Sequence, residues 1–518
     1  MRWQVPTGLC CLLPLVLAVL VACLIPRHIN KALRGGVKDQ IVWSANSPPD
    51  TYARYVRDDH PGDPTVQTDF YLLNITNLAG VKAGSKPVLQ QLGPYLYKKH
   101  TVKRNIWFDN RGRVAFTRDE FYTELPSNSL FPSLDDVVTT VNVPLLGALA
   151  KAHSIFGRFV AIQLLLEVLA SFHDPNVDGL FMKRTVRELL WGYNDPLLQK
   201  LKLLAPGLDT RFQLVPNTTA SSLHPSRQDI VNTGVNNISA IWDTEVWSNH
   251  TAINSWRPPH SEPVQGSDGT QFRPDLTTGD SIVVWAPDLF RSASMTANST
   301  VSLEGVRLLR FGPDPSQGEP SPAYYQTFQG LMNVTSPIAA GPEGRAGAAG
   351  PPVFLSNAHF CDVDSAVADT VLGLNCSLNE HVTFLDVEPI TGITMRAAKR
   401  LMMSTEYGPE WQAVEPRVKR TFLPIFWVEE KSQATAAQCN DFKKQVYSAQ
   451  KASKLVLWVA VGVACFFGVL AVVLLTAPLW DKRHGRDPET GVEDNGQQEP
   501  FLAPDMSGGA AAAAASDD

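Results

Sequence analysis

Closely spaced carboxylates are the residues in this sequence that come nearest to a chemical motif. Asp386 and Glu388 stand two positions apart, and Asp362 and Asp364 repeat that spacing. On a strand such a pair shares one face, where it could serve acid–base chemistry or bind a cation. A solvated or salt-bridged strand pair has the same spacing, and we expect that structural role at both places.

The motifs of well-known catalytic sites are missing from the sequence. It contains no Gly-x-Ser-x-Gly elbow, phosphate-binding loop, dinucleotide glycine pattern, Cys-x-x-Cys pair or His-Glu-x-x-His motif. The 11 histidines are scattered without the spacing of metal ligands. We therefore predict no catalytic residue, no metal site and no cofactor, and a protein that is not an enzyme.

Two apolar runs indicate a membrane protein. Leu455–Leu479 carries no charged residue, and roughly 25 residues at about 1.5 Å each exceed a hydrocarbon core of about 30 Å. Leu9–Ile25 is a second apolar run with basic residues on both sides. We predict that both runs are transmembrane helices. For the N-terminal run, a cleaved signal peptide and a lipoprotein with lipidated Cys23 are the alternatives.

Glycosylation sequons place the large segment between the two runs. All seven Asn-x-Ser/Thr sequons fall there, which favours an extracellular or lumenal domain. The mild net charge of −6 gives no indication of a nucleic-acid-binding protein. The predicted segments are a cytoplasmic N-terminus 1–8, a transmembrane helix 9–25, a lumenal domain 26–454, a transmembrane helix 455–479 and a disordered cytoplasmic tail 480–518. The sequons are at Asn74, Asn217, Asn237, Asn249, Asn298, Asn333 and Asn375.

Periodicity within the large segment alternates between strand and helix patterns. Residues 69–124 have β texture, with a hairpin predicted where Ile106–Phe108 and Val114–Thr117 flank a turn. Residues 143–191 have helical texture. The further predictions are a juxtamembrane helix Ala32–Ile41, a three-helix cluster (Leu145–His153, Arg158–Phe172, Thr185–Leu190), a loop Gly341–Pro352, and strands at Val301–Phe311, Val353–Leu355, His381–Leu385, Gly392–Arg400 and Phe422–Trp427.

Several of these segments together carry a family resemblance. The two longest are Arg184–Pro196, which reads RTVRELLWGYNDP, and Phe384–Ile393, which reads FLDVEPITGI. Gly93–Tyr95, Ala398–Leu401 and Leu423–Trp427 support them in the same order. Between two terminal apolar runs, this series resembles the class B scavenger receptor family, which includes fatty-acid translocase and lysosomal integral membrane protein. The likeness covers residues 5–480.

The resemblance implies an α+β fold. Its expected form is an antiparallel β-barrel ectodomain with an apical helical bundle and an internal apolar tunnel, anchored by two transmembrane helices. In the family the apex receives ligand, and the tunnel is thought to pass fatty acids, sterols or sterol esters. Our helical segment 145–191 matches the apex in position.

Candidate residues follow from the resemblance. For any single apex side chain, a place in the core of the bundle is an alternative to ligand contact. The expected apex ligand-binding residues are Phe159, Ile162, Leu166, Leu169, His173 and Lys183. The motif residues expected to have structural roles are Arg187, Glu188, Trp191, Asp386, Glu388, Pro389 and Gly392.

The sequence departs from its relatives in cysteines and in apex charge. Cys361 and Cys376 are the only lumenal cysteines close together in sequence, and an oxidising compartment favours a disulfide between them. Cys439 is then left without a partner cysteine: either it is a free thiol or the three lumenal cysteines pair differently. Cys10 and Cys11 are palmitoylation candidates or plain apolar residues. Acidic and basic residues are equal in number at the apex, which argues against the capture of anionic particles by a basic patch. His153 and His173 are either pH-sensitive or surface residues without a role.

We therefore predict a membrane scavenger-type receptor with both termini in the cytoplasm, in the plasma membrane or a lysosomal or endosomal membrane. It binds lipid or lipoprotein ligands at the apex and passes apolar lipid through the tunnel to the bilayer. The alternative is an endolysosomal sorting or adhesion receptor that binds a protein cargo at the apex. Nucleic acid is not an expected partner, and self-association into a homo-oligomer is possible.

Overall fold

The computed structural model describes most of the chain between residues 66 and 484. Residues His28–Ser453 form one compact unit, and the C-terminal helix beyond Ser453 belongs to a second. The described residues are 16, 31–32, 34–46, 66–125, 132–157, 160, 176–202, 209–216, 227–341, 344, 346–408 and 415–484.

Antiparallel strands build the framework of the large unit. Alternating apolar residues along them, as in the predicted hairpin, bury one face of the sheet. The strands are β1 Gln67–Ile75, β2 Leu89–Phe108, β3 Arg113–Glu124, β4 Val137–Val141, β5 Val177–Asp178, β6 Phe181–Thr185, β7 Tyr193–Asn194, β8 Arg211–Phe212, β9 Asp229–Asn232, β10 Thr244–Val246, β11 Ala252–Ile253, β12 Glu262–Pro263, β13 Ser281–Ala286, β14 Arg291–Leu303, β15 Val306–Pro313, β16 Met332–Asn333, β17 Phe354–Ser356, β18 Phe384–Val387, β19 Thr394–Tyr407 and β20 Thr421–Gln433.

One sheet of 13 strands curls into a nearly closed barrel. Its order is β10-β9-β3-β2-β1-β20-β19-β18-β15-β14-β13, with β16 and β17 joined to β19. Ser267 bridges the two ends of this order, because it pairs with Asp243 beside β10 and with Val284 of β13. The backbone N–H of Trp285 donates to Ser267 over 2.8 Å, and that of Thr244 donates to Gly266 over 2.8 Å. This architecture agrees with the expected antiparallel barrel.

Short helices connect and cover the strands. The helix Val186–Trp191 (α4) begins with a capping box, in which the side chains of Thr185 and Glu188 accept from each other's backbone N–H groups. A π-helical turn, Lys443–Tyr447, lies between the last two helices. The helices are α1 34–41, α2 Leu78–Lys82, α3 Val143–Phe156, α4 Val186–Trp191, α5 Pro196–Leu201, α6 Thr335–Ala340, α7 Ser365–Ala368, α8 Leu378–His381, α9 Ala436–Phe442 and α10 Ser448–His484.

The region predicted as a three-helix cluster also contains strands. α3 and α4 match two of the predicted helices, whereas the middle one, 158–172, lies outside the described residues except for position 160. Between them, β5 and β6 pair with β4 in a separate three-stranded sheet. The pattern missed these strands because β5 has two residues and β6 five, too short for a clear period of two.

Two of the predicted strands were wrong in detail. Val301–Phe311 is not one strand but contains the turn of a hairpin: β14 ends at Leu303 and β15 begins at Val306, with positive φ angles at Glu304 and Gly305 between them. His381–Leu385 begins in a helix, because α8 ends at His381 and β18 starts only at Phe384. Both errors joined apolar residues across a change of direction that Gly305 or a short helix introduces.

The C-terminal apolar run lies within a long helix. The residues Ala436–Leu470 form the one helix among the described residues that is long and apolar enough to cross a membrane, with a mean hydropathy of 2.1 in its most apolar window. The predicted N-terminal helix 9–25 lies outside the described residues except for position 16.

Candidate functional site

Seven charged residues form a continuous chain across the inner face of the barrel. Their signs alternate, and each touches the next through an ion pair. Lys399 contacts Asp288 at 2.7 Å and Glu430 at 2.7 Å, and Lys99 contacts Glu430 at 3.1 Å and Glu120 at 3.4 Å. We call this chain the charge belt; its members in order are Asp288, Lys399, Glu430, Lys99, Glu120, Arg118 and Asp229.

Strand register places the belt residues of the four neighbouring strands on one face. Residues that pair directly across antiparallel strands point to the same side. Lys399 pairs with Glu430, and Glu430 pairs with Thr68 of β1, which in turn pairs with Tyr97 of β2. Lys99 lies two residues beyond Tyr97 and therefore shares its side.

This face is the concave one. Lys399 belongs to β19 and Asp288 follows β13, and the sheet order puts β18, β15 and β14 between those two strands. Adjacent strands lie about 4.8 Å apart, so a flat sheet would hold the two groups far from each other. Their 2.7 Å contact requires the sheet to curl with both side chains inside.

The four central members of the belt, Lys399, Glu430, Lys99 and Glu120, hold one another in the ionised form. Burial opposes the charge of Glu430, yet Lys399 and Lys99 lower its pKa to about 2. Against the same burial, Glu430 and Glu120 raise the pKa of Lys99, and Asp288 and Glu430 raise that of Lys399. Lys99 and Arg118 lower the pKa of Glu120 in spite of its desolvation.

Lys103 adds a further basic side chain beside the belt. It pairs with Arg118 across the β2–β3 hairpin, and its Nζ lies 5.5 Å from the centre of the Phe116 ring. Burial lowers the pKa of the Lys103 ammonium to about 7, although Asp268, Glu120 and Asp229 act in the other direction. Lys99, Lys103 and Arg118 therefore surround Glu120 with three basic side chains on one face.

An aromatic cluster lies on one side of the belt. Trp191, at the end of α4, donates from Nε1 to the Tyr97 hydroxyl over 2.8 Å. Its ring lies 4.8 Å from Tyr97, 5.6 Å from Tyr122 and 5.8 Å from Phe70, centre to centre. We call these four residues the aromatic cap. The cap packs α4 against three barrel strands.

A second apolar cluster lies on the other side of the belt. Ala397, two residues before Lys399, pairs with Leu385, which pairs with Phe311 of β15. Register thus puts all three on the face of the belt. We call the group the β15 cluster; its buried members are Phe272, Leu276, Ile282, Met295, Ala297, Leu309, Phe311, Leu385 and Val387. The inner face is therefore apolar, then charged, then apolar again.

The remaining motif residues have structural contacts. Arg187 and Asp135 make a 3.4 Å ion pair at the exposed surface. Asp386 is fully buried on β18 and accepts from Arg310 and Arg396 at 2.6–2.8 Å. Glu388 and Asp386 do not form one site: Glu388 follows the strand and accepts from the Thr391 N–H and hydroxyl, and burial raises its pKa. Asp364 caps α7.

Pro389 and Gly392 belong to the turn between β18 and β19. The carbonyl of Pro389 accepts from the Leu276 N–H over 2.8 Å, and the carbonyl of Gly392 accepts from the Phe272 N–H over 2.7 Å. Gly392 has a φ of 78°, and a Cβ there would lie 2.0 Å from the Phe272 carbonyl oxygen. This position therefore requires glycine.

Five of the six expected apex ligand residues lie outside the described residues: Phe159, Ile162, Leu166, Leu169 and His173. Lys183 is exposed on β6. Nearby, Ile155 is 60% exposed and Val160 is 51% exposed, so apolar side chains reach solvent in this region. Cys10, Cys11 and Asn217 also lie outside the described residues.

A disulfide joins Cys361 to Cys376, with 5.1 Å between their Cα atoms. Two stacked imidazoles hold its loop: His359 and His381 lie 4.0 Å apart, and their Nδ1 atoms accept from the backbone N–H groups of Asn375 and Ser377. Cys439 is a buried free thiol.

Of the sequons, Asn237, Asn249, Asn298 and Asn375 are exposed and Asn333 is half-buried. Asn74 is half-buried, and its side chain accepts from the Thr139 N–H.

Two further kinds of candidate site are a metal site and a surface cleft. Among the residues that the structure describes, no three His, Cys, Asp or Glu side chains come together as metal ligands. A surface cleft of about 320 Å³ lies between the loops before β2 and β20, lined by Ser85, Lys86, Ser365, Ala366, Asp369, Thr370, Lys419, Arg420 and Thr421.

Sequence reasoning missed the charge belt, although part of its signal is local. Lys103 on β2 pairs with Arg118 on β3, and Thr101 pairs with Glu120, so the charged side chains of Lys99, Lys103, Arg118 and Glu120 share one face of the hairpin. Period-two charges opposite each other across a hairpin indicate a polar face. Glu430 and Asp288 gave no such signal, because Lys99 and Glu430 are 331 residues apart in sequence.

Comparison with known proteins gives a consistent result over most of the chain. The sequence model of the CD36 family matches residues 9–475. Scavenger receptor class B member 1 of Cricetulus griseus is 27% identical over 416 residues, which cover 78% of this chain and 77% of that protein. Lysosome membrane protein 2 is 25% identical in Mus musculus (78% of this chain, 82% of that protein) and 23% identical in Homo sapiens (88% and 92%).

Proposed function

The chain belongs to the CD36 family, and from that premise we propose that it is a membrane receptor for lipid or lipoprotein ligands. Relatives named as scavenger receptors support this proposal. In this proposal the ligand docks at the helical region around α3, and a lipid passes along the barrel interior to the bilayer. Both termini are cytoplasmic, in the plasma membrane or a lysosomal membrane. No bond is made or broken, so the chain is not an enzyme.

The observation that carries the proposal is the inner face of the barrel, together with the exposed apolar residues near it. The aromatic cap and the β15 cluster give the interior large apolar surfaces. Ile155 and Val160 offer an apolar surface at the docking region.

Those same exposed residues favour a second candidate function. Exposed apolar side chains also suit a protein partner, so a sorting or adhesion receptor that binds a protein cargo is the alternative. In that case Ile155 of α3 and Val160 beyond its end would bind protein, and the barrel interior would carry no ligand. Relatives named lysosome membrane protein are compatible with this function.

Mass spectrometry of bound lipid tests the two functions. The full-length protein is purified from membranes in a mild detergent, extracted with organic solvent, and its lipids are compared with those of an unrelated membrane protein from the same cells. We expect near-stoichiometric enrichment of one lipid class. A protein that carries no lipid but retains a stoichiometric protein partner, which Val160→Asp releases, would overturn the lipid function and support the sorting receptor.

A further inference from the structure

We propose that the segment Ile41–Trp43 is a plug at the base of the barrel, and that unwinding of α1 withdraws it to open the interior. The inference rests on the proposed lipid function and adds to it a closed exit that a movement of the chain must open. It concerns that movement, and the identity of the lipid does not enter it.

The inner face of the barrel continues from the charge belt toward the β2–β3 turn. Arg118 belongs to the belt, and Phe116 and Val114 precede it by two and four residues on β3, so all three point inside. Val231 of β9 pairs directly with Val114 and therefore shares its side. The side chains of Phe116, Val114 and Val231 line the interior between the belt and the turn.

Ile41 and Trp43 fill this part of the interior. They form one buried cluster with the three lining residues, and Trp43 meets Trp242 edge to face, with 4.1 Å between the ring centres. Ile41 and Trp43 are 1% and 2% exposed, and the lining residues are 1–3% exposed. A passage wide enough for a lipid would leave its lining accessible, so the barrel is closed at this point.

The plug lies at the end of the barrel where the chain enters and leaves. Trp43 donates from its backbone N–H to the Thr233 carbonyl, and Thr233 donates to the carbonyl of Gly112 in the β2–β3 turn. Ile393, in the turn before β19, packs against the same cluster. β20, which leads into α9 and α10, ends beside the start of β19. In the proposed function, a lipid leaves the interior at this end to reach the bilayer.

α1 is the element that can release the plug. Ile41 is its last residue, and the three residues that follow belong to no strand. Two of its eight residues are Gly35 and Gly36, and glycine is a poor helix former. No other part of the described chain comes within 4 Å of a Cβ built at either glycine. The ion pair of Arg34 with Asp275 has both side chains exposed, at 74% and 55%, where such pairs contribute little.

Unwinding of α1 supplies the length that the plug needs in order to move. Eight residues span about 12 Å as a helix and about 26 Å when extended, so the chain that leads to Ile41 gains roughly 14 Å. That gain equals the width of about three neighbouring strands of the sheet. Trp43 can therefore leave the base of the barrel while the strands stay paired.

The alternative is that the segment only stabilises the base of the barrel as ordinary core. In that case a variant that strengthens α1 leaves lipid uptake unchanged, and a variant that truncates Trp43 does not raise it. A plug has the opposite effects: a stronger α1 slows uptake, and a smaller side chain at Trp43 accelerates it. The sign of the change therefore separates the two roles.

The first test strengthens α1 with Gly35→Ala and Gly36→Ala together. Cells that express the full-length protein are given a fluorescent cholesteryl ester in emulsion particles, and uptake is measured per protein molecule at the cell surface. We expect uptake to fall about tenfold, because alanine favours the helix at both positions. Hydrogen exchange of the purified full-length protein should slow by a similar factor at the N–H groups of Val42 and Trp43. Gly80→Ala is the matched control: it lies in α2, where an added Cβ makes ordinary contacts of 3.5–3.7 Å, and it should keep wild-type uptake.

The second test truncates the plug with Trp43→Ala. Loss of buried apolar surface destabilises the closed state, so uptake per surface molecule should rise at least about twofold. Trp256→Ala is the matched control, because Trp256 is fully buried in a separate cluster with Ile253 and Val264; its uptake should not rise. If Trp43→Ala does not reach the cell surface, Trp43→Phe removes less volume and should change uptake in the same direction.

The outcomes separate the plug from the lipid function. Wild-type uptake no greater than that of cells without the protein overturns the proposed lipid function, and the plug with it. If wild type takes up the ester but the double glycine variant does so at the same rate, whether or not exchange at Val42 and Trp43 slows, the plug alone is overturned. Uptake that falls in Trp43→Ala as it does in Trp256→Ala also overturns the plug alone.

Discussion

At the residue scale, the stacked histidines His359 and His381 connect the disulfide loop to the barrel wall. His359 donates from Nε2 to Gln91 over 2.7 Å, and Gln91 also accepts from Trp427. Because Nδ1 of each ring accepts from a backbone N–H, both rings must be neutral in this arrangement. Protonation would place a second N–H against Asn375 and Ser377 and two positive charges 4.0 Å apart.

We therefore predict that acid destabilises the protein through this pair. Burial, with His381 as the second cause, lowers the pKa of His359 to about 4, and burial also lowers that of His381 although Glu380 and Glu429 oppose it. Below an unfolded pKa of about 6.5 the unfolded chain binds protons that the folded chain does not, so stability is complete above pH 6.5 and falls toward pH 4.

Thermal unfolding of the full-length protein from pH 7.5 to 4.5 measures this effect. His359→Phe keeps an aromatic ring between His381 and Trp427 without a titrating group, and its unfolding temperature should depend less on pH than that of wild type. His153→Gln at the exposed end of α3 is the control and should keep the wild-type dependence. If the unfolding temperature depends on pH equally in all three proteins, the His359–His381 pair is not the cause of the acid destabilisation.

At the scale of elements, the turn from β18 into β19 fixes how segment 270–276 lies against the barrel. The N–H groups of Phe272 and Leu276 donate to the carbonyls of Gly392 and Pro389, so a short turn supplies an irregular segment with backbone partners. That segment contributes Phe272 and Leu276 to the β15 cluster. A change in the turn should therefore affect the apolar interior as well as the local backbone.

Gly392→Ala tests this element. A methyl group would lie 2.0 Å from the Phe272 carbonyl oxygen at a φ of 78°, so we expect a loss of roughly 3 kcal/mol or more in the free energy of unfolding, or failure to fold. Gly269→Ala is the matched control, with a φ of 92° and no atom within 4 Å; strain alone should cost about 1 kcal/mol. If chemical denaturation gives equal losses in the free energy of unfolding for Gly392→Ala and Gly269→Ala, the close approach to the Phe272 carbonyl oxygen is not the cause.

At the scale of the whole molecule, glycan attachment tests the predicted topology. Exposed sequons at Asn237, Asn249, Asn298 and Asn375 are spread over the large unit. If this unit is lumenal or extracellular, mass spectrometry after glycosidase treatment in heavy-oxygen water should find high occupancy at these four. Asn74 should be less occupied, because it lies on a central strand and accepts from Thr139. Four unmodified sites would contradict the topology.

Much of the fold was accessible from the sequence, because its signals are local. The β2–β3 hairpin follows from its turn residues, and α3 and α4 follow from the helical period. The sheet order and the belt were not accessible, since they depend on pairs such as Lys99 and Glu430 that no local period relates. Trp191 could be assigned to structure from its motif, but its partner Tyr97 could not.

The position of β1 between β2 and β20 has a consequence for biosynthesis. Lys431 of β20 contacts Asp69 of β1 across 362 residues of sequence. At a synthesis rate of roughly 5–20 residues per second, β20 follows β1 by on the order of 20–70 s. During that interval one edge of β1 has unpaired backbone groups and invites association with other chains. We therefore expect a nascent chain of this protein to need chaperones until nearly all of it has left the ribosome.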